Sequence, residues 1–286
     1  MENVLVTGAS GQLGSELKEL SVKFNEFNFF FTDVKELNIV NKEQLESFLN
    51  EHKITLIINC AAYTNVDGAE EHQQLANDIN YLGVKNIAEL ALEKGIKFIH
   101  VSTDYVFNGE SSIPYLENDE TNPQNVYGVT KLAGEKAILD LNPANTIIVR
   151  TSWLYSSFGS NFVKTMLKLT SEKEEISVVM DQVGSPTYAE DLAKFILKIG
   201  SKLKNDTVEV YHFANKGFCS WYDFATKIVE ISGNECKVKP VSSEVFKTKA
   251  KRPKFSILNT EKVEKAFQIK LPHWEESLKQ CLKIIS

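Results

Sequence analysis

The chain has 286 residues, enough for one large α/β domain or for a nucleotide-binding domain with a smaller companion. Its 32 basic and 38 acidic residues give a net charge of −6 with no long run of either sign, so we expect no nucleic-acid partner and no membrane surface. Four scattered cysteines disfavour a disulfide framework and favour a reducing compartment. No basic leader precedes the first apolar run, and no run approaches the ~20 residues of a membrane span, so we expect a cytoplasmic protein.

Short apolar runs alternate with segments of helical period over the first 150 residues. The runs predict strands at residues 4–7, 28–32, 56–59, 98–102 and 147–151. The segments between them predict helices at 13–20, 43–51, 70–94 and 127–140, of which the third is long enough to be two helices. Five such units are typical of an α/β fold with a Rossmann-type, doubly wound parallel sheet.

The alternation loosens beyond residue 150. Residues 162–169, 189–199 and 222–232 have helical periodicity, residues 208–213 predict a strand, and the remainder is rich in loop residues. We therefore expect a first domain over 1–155, rejoined by about 186–213, and a smaller, partly interleaved C-terminal domain over 156–286.

A glycine-rich turn follows the first predicted strand. Residues 8–14 have the sequence Gly-Ala-Ser-Gly-Gln-Leu-Gly, a G-x-x-G-x-x-G pattern that opens a helix. Glycines here let the backbone approach a pyrophosphate, whose charge is stabilised by the free N–H groups of the helix start. An ordinary strand-to-helix turn is the alternative for such a pattern taken alone.

The end of the second predicted strand strengthens the dinucleotide interpretation. Asp33 lies 19 residues after Gly14, close to the ~20-residue offset of an acid that binds an adenosine ribose. A carboxylate there would repel a 2′-phosphate, yet Lys35 could partly neutralise one. The sequence therefore predicts a dinucleotide site and leaves the choice between NADH and NADPH open; a solvated turn is the alternative for Asp33.

Tyr127 and Lys131 are four residues apart, hence on one face of a predicted helix. A nearby ammonium stabilises a phenolate, and one at ~4 Å supplies about the 4 kcal/mol that would bring a tyrosine pKa from ~10 to about 7. Thr103 ends the fourth strand, where ligands bind in open α/β sheets, so its hydroxyl can bind a substrate carbonyl or the tyrosine. These three residues predict an acid catalyst, although core packing of the tyrosine and backbone capping by Thr103 are the alternatives.

Taken together, these motifs resemble the extended short-chain dehydrogenase/reductases, and within them the dTDP-4-dehydrorhamnose reductases, over nearly the whole chain. The segments that carry the resemblance are 8–14, 61–67 with 69–70, 102–107, 127–132, 150–155, 181–187, 252–253 and 258–259. The resemblance implies NAD(P)H-dependent reduction of the 4-keto group of dTDP-4-dehydro-L-rhamnose to dTDP-L-rhamnose, with a proton from Tyr127. The first domain would then bind the dinucleotide and the second mainly the substrate.

The resemblance also implies roles for individual residues. The catalytic residues would be Tyr127, Lys131 and Thr103. The cofactor would be bound by Gly8, Gly11, Gln12, Leu13, Asp33, Asn38, Ile39, Ala61, Ala62, Tyr63, Val101, Tyr127 and Lys131. The sugar nucleotide would be bound by Thr103, Asp104, Trp153, Asn161 and Arg252, with a structural role as the alternative for Asn161 and Arg252 and with core packing as the alternative for Trp153. The family more often has Asp at the positions of Asn38 and Asn108, and the first of these departures puts the adenine side of the site in doubt.

Three other functions compete with this one. A sugar-nucleotide 4,6-dehydratase would have Glu in place of Tyr105, so dehydration is disfavoured. A non-catalytic regulatory subunit resembling the methionine adenosyltransferase β subunit, and a reductase of another 4-keto sugar nucleotide, both stay open.

Metal ligands are not grouped in the sequence. It has no H-E-x-x-H motif and its five histidines are far apart, so no metal is expected in the active site. The resemblance leaves open a homodimer with Mg²⁺ held by carboxylates between its subunits.

Overall fold

The computed structural model describes residues 1–285, and its centre is a six-stranded sheet in the order β10-β5-β4-β3-β1-β2. All neighbouring strands of this sheet are parallel. The first sheet strands are β1 (Glu2–Thr7), β2 (Phe27–Thr32), β3 (Leu56–Asn59), β4 (Lys97–Thr103) and β5 (Thr146–Thr151). The predicted doubly wound parallel sheet is thus confirmed, with strand ends within one or two residues of those expected.

Helices cover both faces of the sheet. Before β5 they are α1 (Gln12–Ser21), α2 (Lys42–Glu51), α3 (Val66–Glu71), α4 (Gln73–Asn77), α5 (Val84–Lys94) and α6 (Val126–Leu141). Alternate residues of β1 point to opposite faces, so Val4 and Val6 pack with α1 while Leu5 packs with α2 and α5. Each face therefore has its own hydrophobic core, and the carboxyl ends of the strands are left free for a ligand.

The chain beyond residue 153 builds small sheets around a third core. The strands are β6 (Leu154–Tyr155), β7 (Glu175–Val179), β8 (Val183–Gly184), β9 (Thr187–Tyr188), β10 (Glu209–His212), β11 (Cys219–Ser220), β12 (Lys237–Val241) and β13 (Phe255–Ser256). The helices are α7 (Phe162–Glu172), α8 (Ala189–Gly200), α9 (Trp221–Ser232), α10 (Glu261–Phe267) and α11 (Trp274–Ile285). Buried side chains of α7, α9 and α11, among them Val163, Phe224 and Leu278, form that core.

Helix α8 and strand β10 return to the first sheet. The two buried faces of α8 and α1 share one core, and β10 pairs with β5 as the sixth strand. This return falls on the segment expected to rejoin the first domain, although the division near residue 155 itself stays a prediction.

Two parts of the sequence interpretation were wrong in detail. The segment expected to be one or two helices at 70–94 contains α4, a π-helical turn at Asp78–Gly83 and α5, preceded by α3. The remainder of the C-terminal part is not only loop, because it contains β7, β12, α10 and α11. Strands β7 and β12 are short and largely exposed on one face, which left their apolar alternation weak. Among residues 1–285 no helix has the length and apolar character needed to span a bilayer.

Candidate active site

A cleft of about 820 Å³ opens at the carboxyl ends of β1, β3, β4 and β5. It collects side chains that are far apart in the sequence, because the ends of parallel strands meet at one edge of the sheet. The predicted site residues that line it are Gly8, Gly11, Gln12, Leu13, Asp33, Asn38, Ile39, Ala61, Ala62, Val101, Thr103, Asp104, Tyr127, Lys131 and Trp153. The predicted residues Tyr63, Asn161 and Arg252 do not line it.

The glycine-rich turn forms one end of this cleft. Gly8 has a positive φ of 67°, and a Cβ there would lie 2.7 Å from the amide nitrogen of Ala61. A Cβ at Gly14 would lie 2.3 Å from the carbonyl oxygen of Gly8, so both glycines are required by the protein's own packing. Gly11 differs, since its Cβ would meet only the Gly8 oxygen at 3.2 Å. Gly11 is also the N-cap of α1 and supplies no side-chain cap, so the first N–H groups of the helix face the cleft unpaired by a side chain.

Asp33 lies beside this turn and holds it. Its oxygen Oδ2 accepts hydrogen bonds from the Ser10 amide, at 2.9 Å, and from the Ser10 hydroxyl. Among the described residues no hydrogen bond is made to Oδ1, which is therefore available to a ribose hydroxyl. Asp33 is thus both a loop-holding residue and a candidate ribose ligand.

The adenine side of the cleft is formed largely by backbone and packed side chains. The Asn38 side chain is used locally, because its oxygen accepts a hydrogen bond from the Val40 amide at 3.0 Å. Ile39 is buried in the core beside Gly83. Tyr63 lies behind the cleft wall, where it packs against a cluster that includes Tyr127, and its amide donates to the Asn80 side chain at 2.9 Å.

Tyr127 lies in the first turn of α6 and lines the cleft. The Asn125 side chain caps this helix by accepting from the Gly128 amide at 2.8 Å, which fixes where Tyr127 emerges. Burial raises the pKa of Tyr127 to about 12, while the nearby Thr103 hydroxyl opposes that rise. The phenol is therefore protonated at neutral pH.

Lys131 follows one turn later, and its side chain is 1% exposed. Its Nζ donates to the Val101 carbonyl oxygen at 2.7 Å and lies 3.3 Å from Nε2 of His100. Burial lowers the pKa of Lys131 to about 8. The sequence interpretation, in which this lysine brings the tyrosine pKa down toward 7, is wrong for this arrangement, because desolvation of the phenolate outweighs the other effects on the tyrosine.

Thr103 and Asp104 lie opposite Tyr127. The Thr103 hydroxyl donates to Oδ1 of Asp104 at 3.0 Å and accepts from the Tyr105 amide at 3.2 Å. Oδ2 of Asp104 is buried and has no hydrogen-bond partner among the described residues. Burial raises the pKa of Asp104 to about 7. Asp104 is among the residues that line the cleft, but its unpaired Oδ2 is itself buried and is not open to a ligand in this structure.

Two stacked tryptophans close the cleft on the side of the C-terminal segment. Trp153 has a φ of 47°, which is unusual for a bulky residue, and its ring stacks on Trp221 with centroids 3.5 Å apart. Both rings line the cleft. Trp221 was missed by the sequence interpretation; its signal is an aromatic residue directly after a Ser-capped helix start, which is weak evidence by itself.

Asn161 and Arg252 have partners within the protein. Asn161 caps α7 through a hydrogen bond from the Lys164 amide at 3.1 Å. Both terminal nitrogens of Arg252 donate to the carboxylate of Asp67, at 3.1 and 2.7 Å. Their assignment to the substrate pyrophosphate stays a prediction.

A metal site is not apparent in the part of the chain that the structure describes. No group of three or more His, Cys, Asp or Glu residues within 1–285 is placed to hold a metal ion. The expectations of a metal-free active site and of Mg²⁺ between subunits both stay predictions.

Comparison with known proteins identifies the family. The family model of the RmlD substrate binding domain matches residues 1–286. A dTDP-4-dehydrorhamnose reductase from Aggregatibacter actinomycetemcomitans is 40% identical, and the match covers 98% of each chain. The structure of a dTDP-4-dehydrorhamnose reductase from Clostridium acetobutylicum has a TM-score of 0.94 at 44% identity, covering 99% of each chain. That of the Bacillus anthracis reductase, in complex with NADP, has a TM-score of 0.93 at 42% identity, again covering 99% of each chain.

These matches confirm the resemblance inferred from the motifs. They run over almost the whole length of this chain and of its relatives. The chain therefore belongs to the RmlD substrate binding domain family, the family of the dTDP-4-dehydrorhamnose reductases.

Proposed function

We propose that this chain reduces the 4-keto group of dTDP-4-dehydro-L-rhamnose to give dTDP-L-rhamnose, with NADPH or NADH as the reductant. The observation that carries the proposal is the meeting of Tyr127, Lys131 and Thr103 with the glycine-rich turn in one cleft, in a chain of the reductase family. Such an enzyme is an oxidoreductase of dTDP-rhamnose biosynthesis.

The residues of the cleft fit a reduced nicotinamide dinucleotide, which supplies a hydride when bound. The N–H groups of Gln12 and Leu13 at the start of α1, which no side chain caps, would bind its pyrophosphate, while the Gly11 amide already donates to the Gly8 carbonyl oxygen at 3.1 Å. Asp33 would accept hydrogen bonds from the adenosine ribose. Ala61 and Ala62 would lie under the cofactor, beside the turn that Gly8 makes possible.

Tyr127 would supply the proton. As the hydride adds to carbon C4 of the sugar, negative charge develops on its oxygen, and a phenol within hydrogen-bond reach can protonate that oxygen. A pKa of about 12 keeps Tyr127 in the protonated form that this direction of reaction requires. Thr103 would hold the carbonyl oxygen beside the phenol.

Lys131, Asp104 and Trp153 complete the proposed site. Lys131 would bind the nicotinamide ribose from the position fixed by the Val101 carbonyl. Asp104, which lines the cleft, would contact the sugar. The Trp153 ring, stacked on Trp221, would form an apolar wall against the sugar.

The other functions are less well supported. Tyr105 stands where a 4,6-dehydratase needs a second acid, and burial raises its pKa further above the usual value. A purely regulatory subunit has no need of an acid catalyst, yet Tyr127, Thr103 and Lys131 are all present in the cleft. Homodimer formation and a cytoplasmic location are part of the proposal by analogy with the family only.

The test is an assay of the purified protein alone with NADPH or NADH and a panel of dTDP- and UDP-4-keto-6-deoxy sugars. We expect cofactor oxidation with dTDP-4-dehydro-L-rhamnose and a product that NMR identifies as dTDP-L-rhamnose. A preference for another sugar of the panel would reassign the substrate. Absence of oxidation with every sugar, from a folded protein that binds cofactor, would favour the regulatory subunit.

A further inference from the structure

Behind Lys131 lies a buried chain of polar side chains that the proposed mechanism does not use. It consists of Asn59 at the end of β3 and His100 in the middle of β4, and both are 0% exposed. Asn59 follows three apolar residues of β3, and His100 lies between Ile99 and Val101 of β4. Buried polar groups of this kind are retained only when their hydrogen bonds are matched donor to acceptor.

The orientation of the Asn59 amide is fixed by its neighbours. Its oxygen Oδ1 accepts from the Ala61 amide at 3.2 Å and from the Thr7 hydroxyl at 2.6 Å. A backbone N–H can only donate, so the atom facing Ala61 must be the oxygen. The Asn59 nitrogen Nδ2 therefore donates to Nδ1 of His100, 3.1 Å away.

This direction fixes the tautomer of His100. Burial and the neighbouring Lys131 lower its pKa well below the usual value, so the ring is neutral and carries one hydrogen. Because Nδ1 accepts from Asn59, the hydrogen is on Nε2, and Nε2 lies 3.3 Å from Nζ of Lys131. An ammonium has no lone pair, so a protonated Lys131 would place its own N–H donors against the Nε2–H of His100. The neutral amine has a lone pair and can accept a hydrogen bond from that N–H.

We propose that His100, oriented by Asn59, is a positioning residue that sets the proton affinity of Lys131 by donating its Nε2–H to the neutral amine. The inference rests on the role of Lys131 in the proposed function. It assigns to the cleft a device by which the lysine can exchange a proton near neutral pH, since burial also brings its pKa to about 8 in place of the usual 10.5.

The other titratable groups near Lys131 do not account for a lowered proton affinity, because they act in the opposite direction. Glu135, one turn further along α6, raises the lysine pKa, but its carboxylate is bound by Arg150 through three hydrogen bonds of 2.7 to 3.1 Å. Cys60 acts in the same direction, and burial raises the pKa of its thiol to about 12, so it is uncharged at neutral pH. His100 is the group whose donor points directly at Nζ.

The consequence for the reaction concerns the proton that Tyr127 gives away. With a pKa of about 8, Lys131 is mainly an ammonium at neutral pH. When the phenol protonates the substrate oxygen, a phenolate remains, and the Lys131 ammonium, four residues later on α6, can give it a proton. The neutral amine that this leaves accepts the Nε2–H of His100. Uptake of one solvent proton by the amine then restores the starting state of both side chains.

The first measurement is made on the wild-type protein, and variants serve only to assign its signals. In ¹⁵N-labelled protein, with the His100 signals identified by their loss in His100→Gln, we expect the two-bond couplings of the Nε2–H tautomer. In protein labelled with ¹³C-lysine, with Lys131 identified through Lys131→Met, we expect its Cε signal to titrate near pH 8. A wild-type protein with the Nδ1–H tautomer would overturn the proposal.

The second measurement inverts the hydrogen-bond direction. In Asn59→Asp a carboxylate oxygen replaces Nδ2, so His100 should move its hydrogen to Nδ1 and present Nε2 as an acceptor to the ammonium. We expect the Lys131 midpoint to rise by about one pH unit or more, a tenfold gain in proton affinity. The control is Asn86→Asp, a buried substitution whose amide serves only the carbonyls of Ile39 and Val40, and it should leave both signals unchanged.

The remaining outcomes are decisive as well. If His100 keeps its tautomer in Asn59→Asp, or if the tautomer changes while the Lys131 midpoint stays fixed, the proposed coupling does not exist. Both readouts are spectroscopic and use the protein without substrate. The coupling between His100 and Lys131 can therefore be disproved while the reductase assay is positive, or be found while that assay is negative.

Discussion

The phenol of Tyr127 lies where a negative charge is poorly solvated. Burial raises its pKa to about 12, and the buried carboxyl of Asp104 acts in the same direction. A high phenol pKa would hinder an enzyme whose tyrosine must remove a proton from an alcohol. It suits an enzyme whose tyrosine donates a proton to a ketone, because the phenol stays protonated. The tyrosine pKa in the structure therefore favours reduction more strongly than the value of about 7 that the pairing of tyrosine and lysine in the sequence predicted.

Removing the phenol oxygen tests this role. We expect Tyr127→Phe to lower kcat by about 10² or more, since general acid catalysis contributes about 10² to 10⁴. Binding of NADPH, followed by fluorescence titration, should be nearly unchanged, because the ring still fills its place beside Tyr105. A variant with near-normal kcat would remove Tyr127 from the mechanism.

Asp104 makes the stability of the protein depend on pH. Burial raises its pKa from 3.8 in the unfolded chain to about 7 in the folded one, so the folded state holds a proton that the unfolded state releases between these values. The stabilisation that the folded protein gains from this extra proton is thus fully present below about pH 4 and is lost as the pH rises to about 7. At about 1.4 kcal/mol per pKa unit, the change amounts to a few kcal/mol.

Urea unfolding of wild type and Asp104→Asn at several pH values measures this contribution. We expect the variant to gain free energy of unfolding relative to wild type from pH 4 to 7 and to keep a constant difference above it. Asp67→Asn is the matched control with the opposite sign, because the Arg252 guanidinium lowers the pKa of Asp67. Its change relative to wild type should occur below about pH 4, and its difference from wild type should stay constant from about pH 4 to 7. Parallel stability curves for wild type and Asp104→Asn would show that Asp104 is not perturbed in the folded state.

At the scale of secondary structure, the elements that position the site were the most predictable. Strands β1, β3, β4 and β5 are largely buried on both faces and the edge strand β2 is partly buried, so their apolar runs are strong signals. The glycine turn has a spacing that the backbone itself requires. The π-helical turn at Asp78–Gly83 was not predictable, because it depends on a tertiary partner: Asn80 hydrogen bonds to the backbone of Tyr63. Of the two stacked tryptophans, only Trp153 was predicted, since Trp221 comes from a helix that is distant in the sequence.

Two glycines at the start of helix α1 have different expected roles: Gly11 in ligand binding and Gly14 in packing. We expect Gly11→Val to keep its melting temperature within a few degrees while binding NADPH and NADH at least tenfold more weakly, because the new side chain meets open cleft on all sides except the Gly8 oxygen. Gly14→Ala is the matched comparison. Its methyl would lie 2.3 Å from that oxygen, so it should lower the melting temperature.

Fluorescence titration of both cofactors and thermal unfolding distinguish the two glycines. Equal cofactor binding by wild type and Gly11→Val would place the pyrophosphate elsewhere. A large loss of stability in Gly11→Val would instead show that this glycine, like Gly14, serves the packing of α1.

At the scale of the whole molecule, a clasp joins the C-terminal segment to the sheet domain. Arg252 lies just before β13 and binds Asp67 on α3 with two hydrogen bonds, while the neighbouring Ala250 amide donates to the same carboxylate at 3.0 Å. The Lys251 carbonyl also accepts from Asn125, the cap of α6. The clasp therefore links the C-terminal segment to the helix that carries Tyr127 and Lys131.

A double-mutant cycle decides between this structural role of Arg252 and its predicted contact with the substrate pyrophosphate. The Arg252 and Asp67 side chains are partly exposed, so we expect Arg252→Gln and Asp67→Asn each to lower the free energy of unfolding by about 1 kcal/mol, and the double variant to lose scarcely more than either. KM for the sugar nucleotide should rise by a similar factor in all three, because both single changes release the same segment. If Arg252→Gln raises KM tenfold or more while Asp67→Asn leaves it unchanged, the guanidinium binds the pyrophosphate, and Asp67 only holds it in place between turnovers.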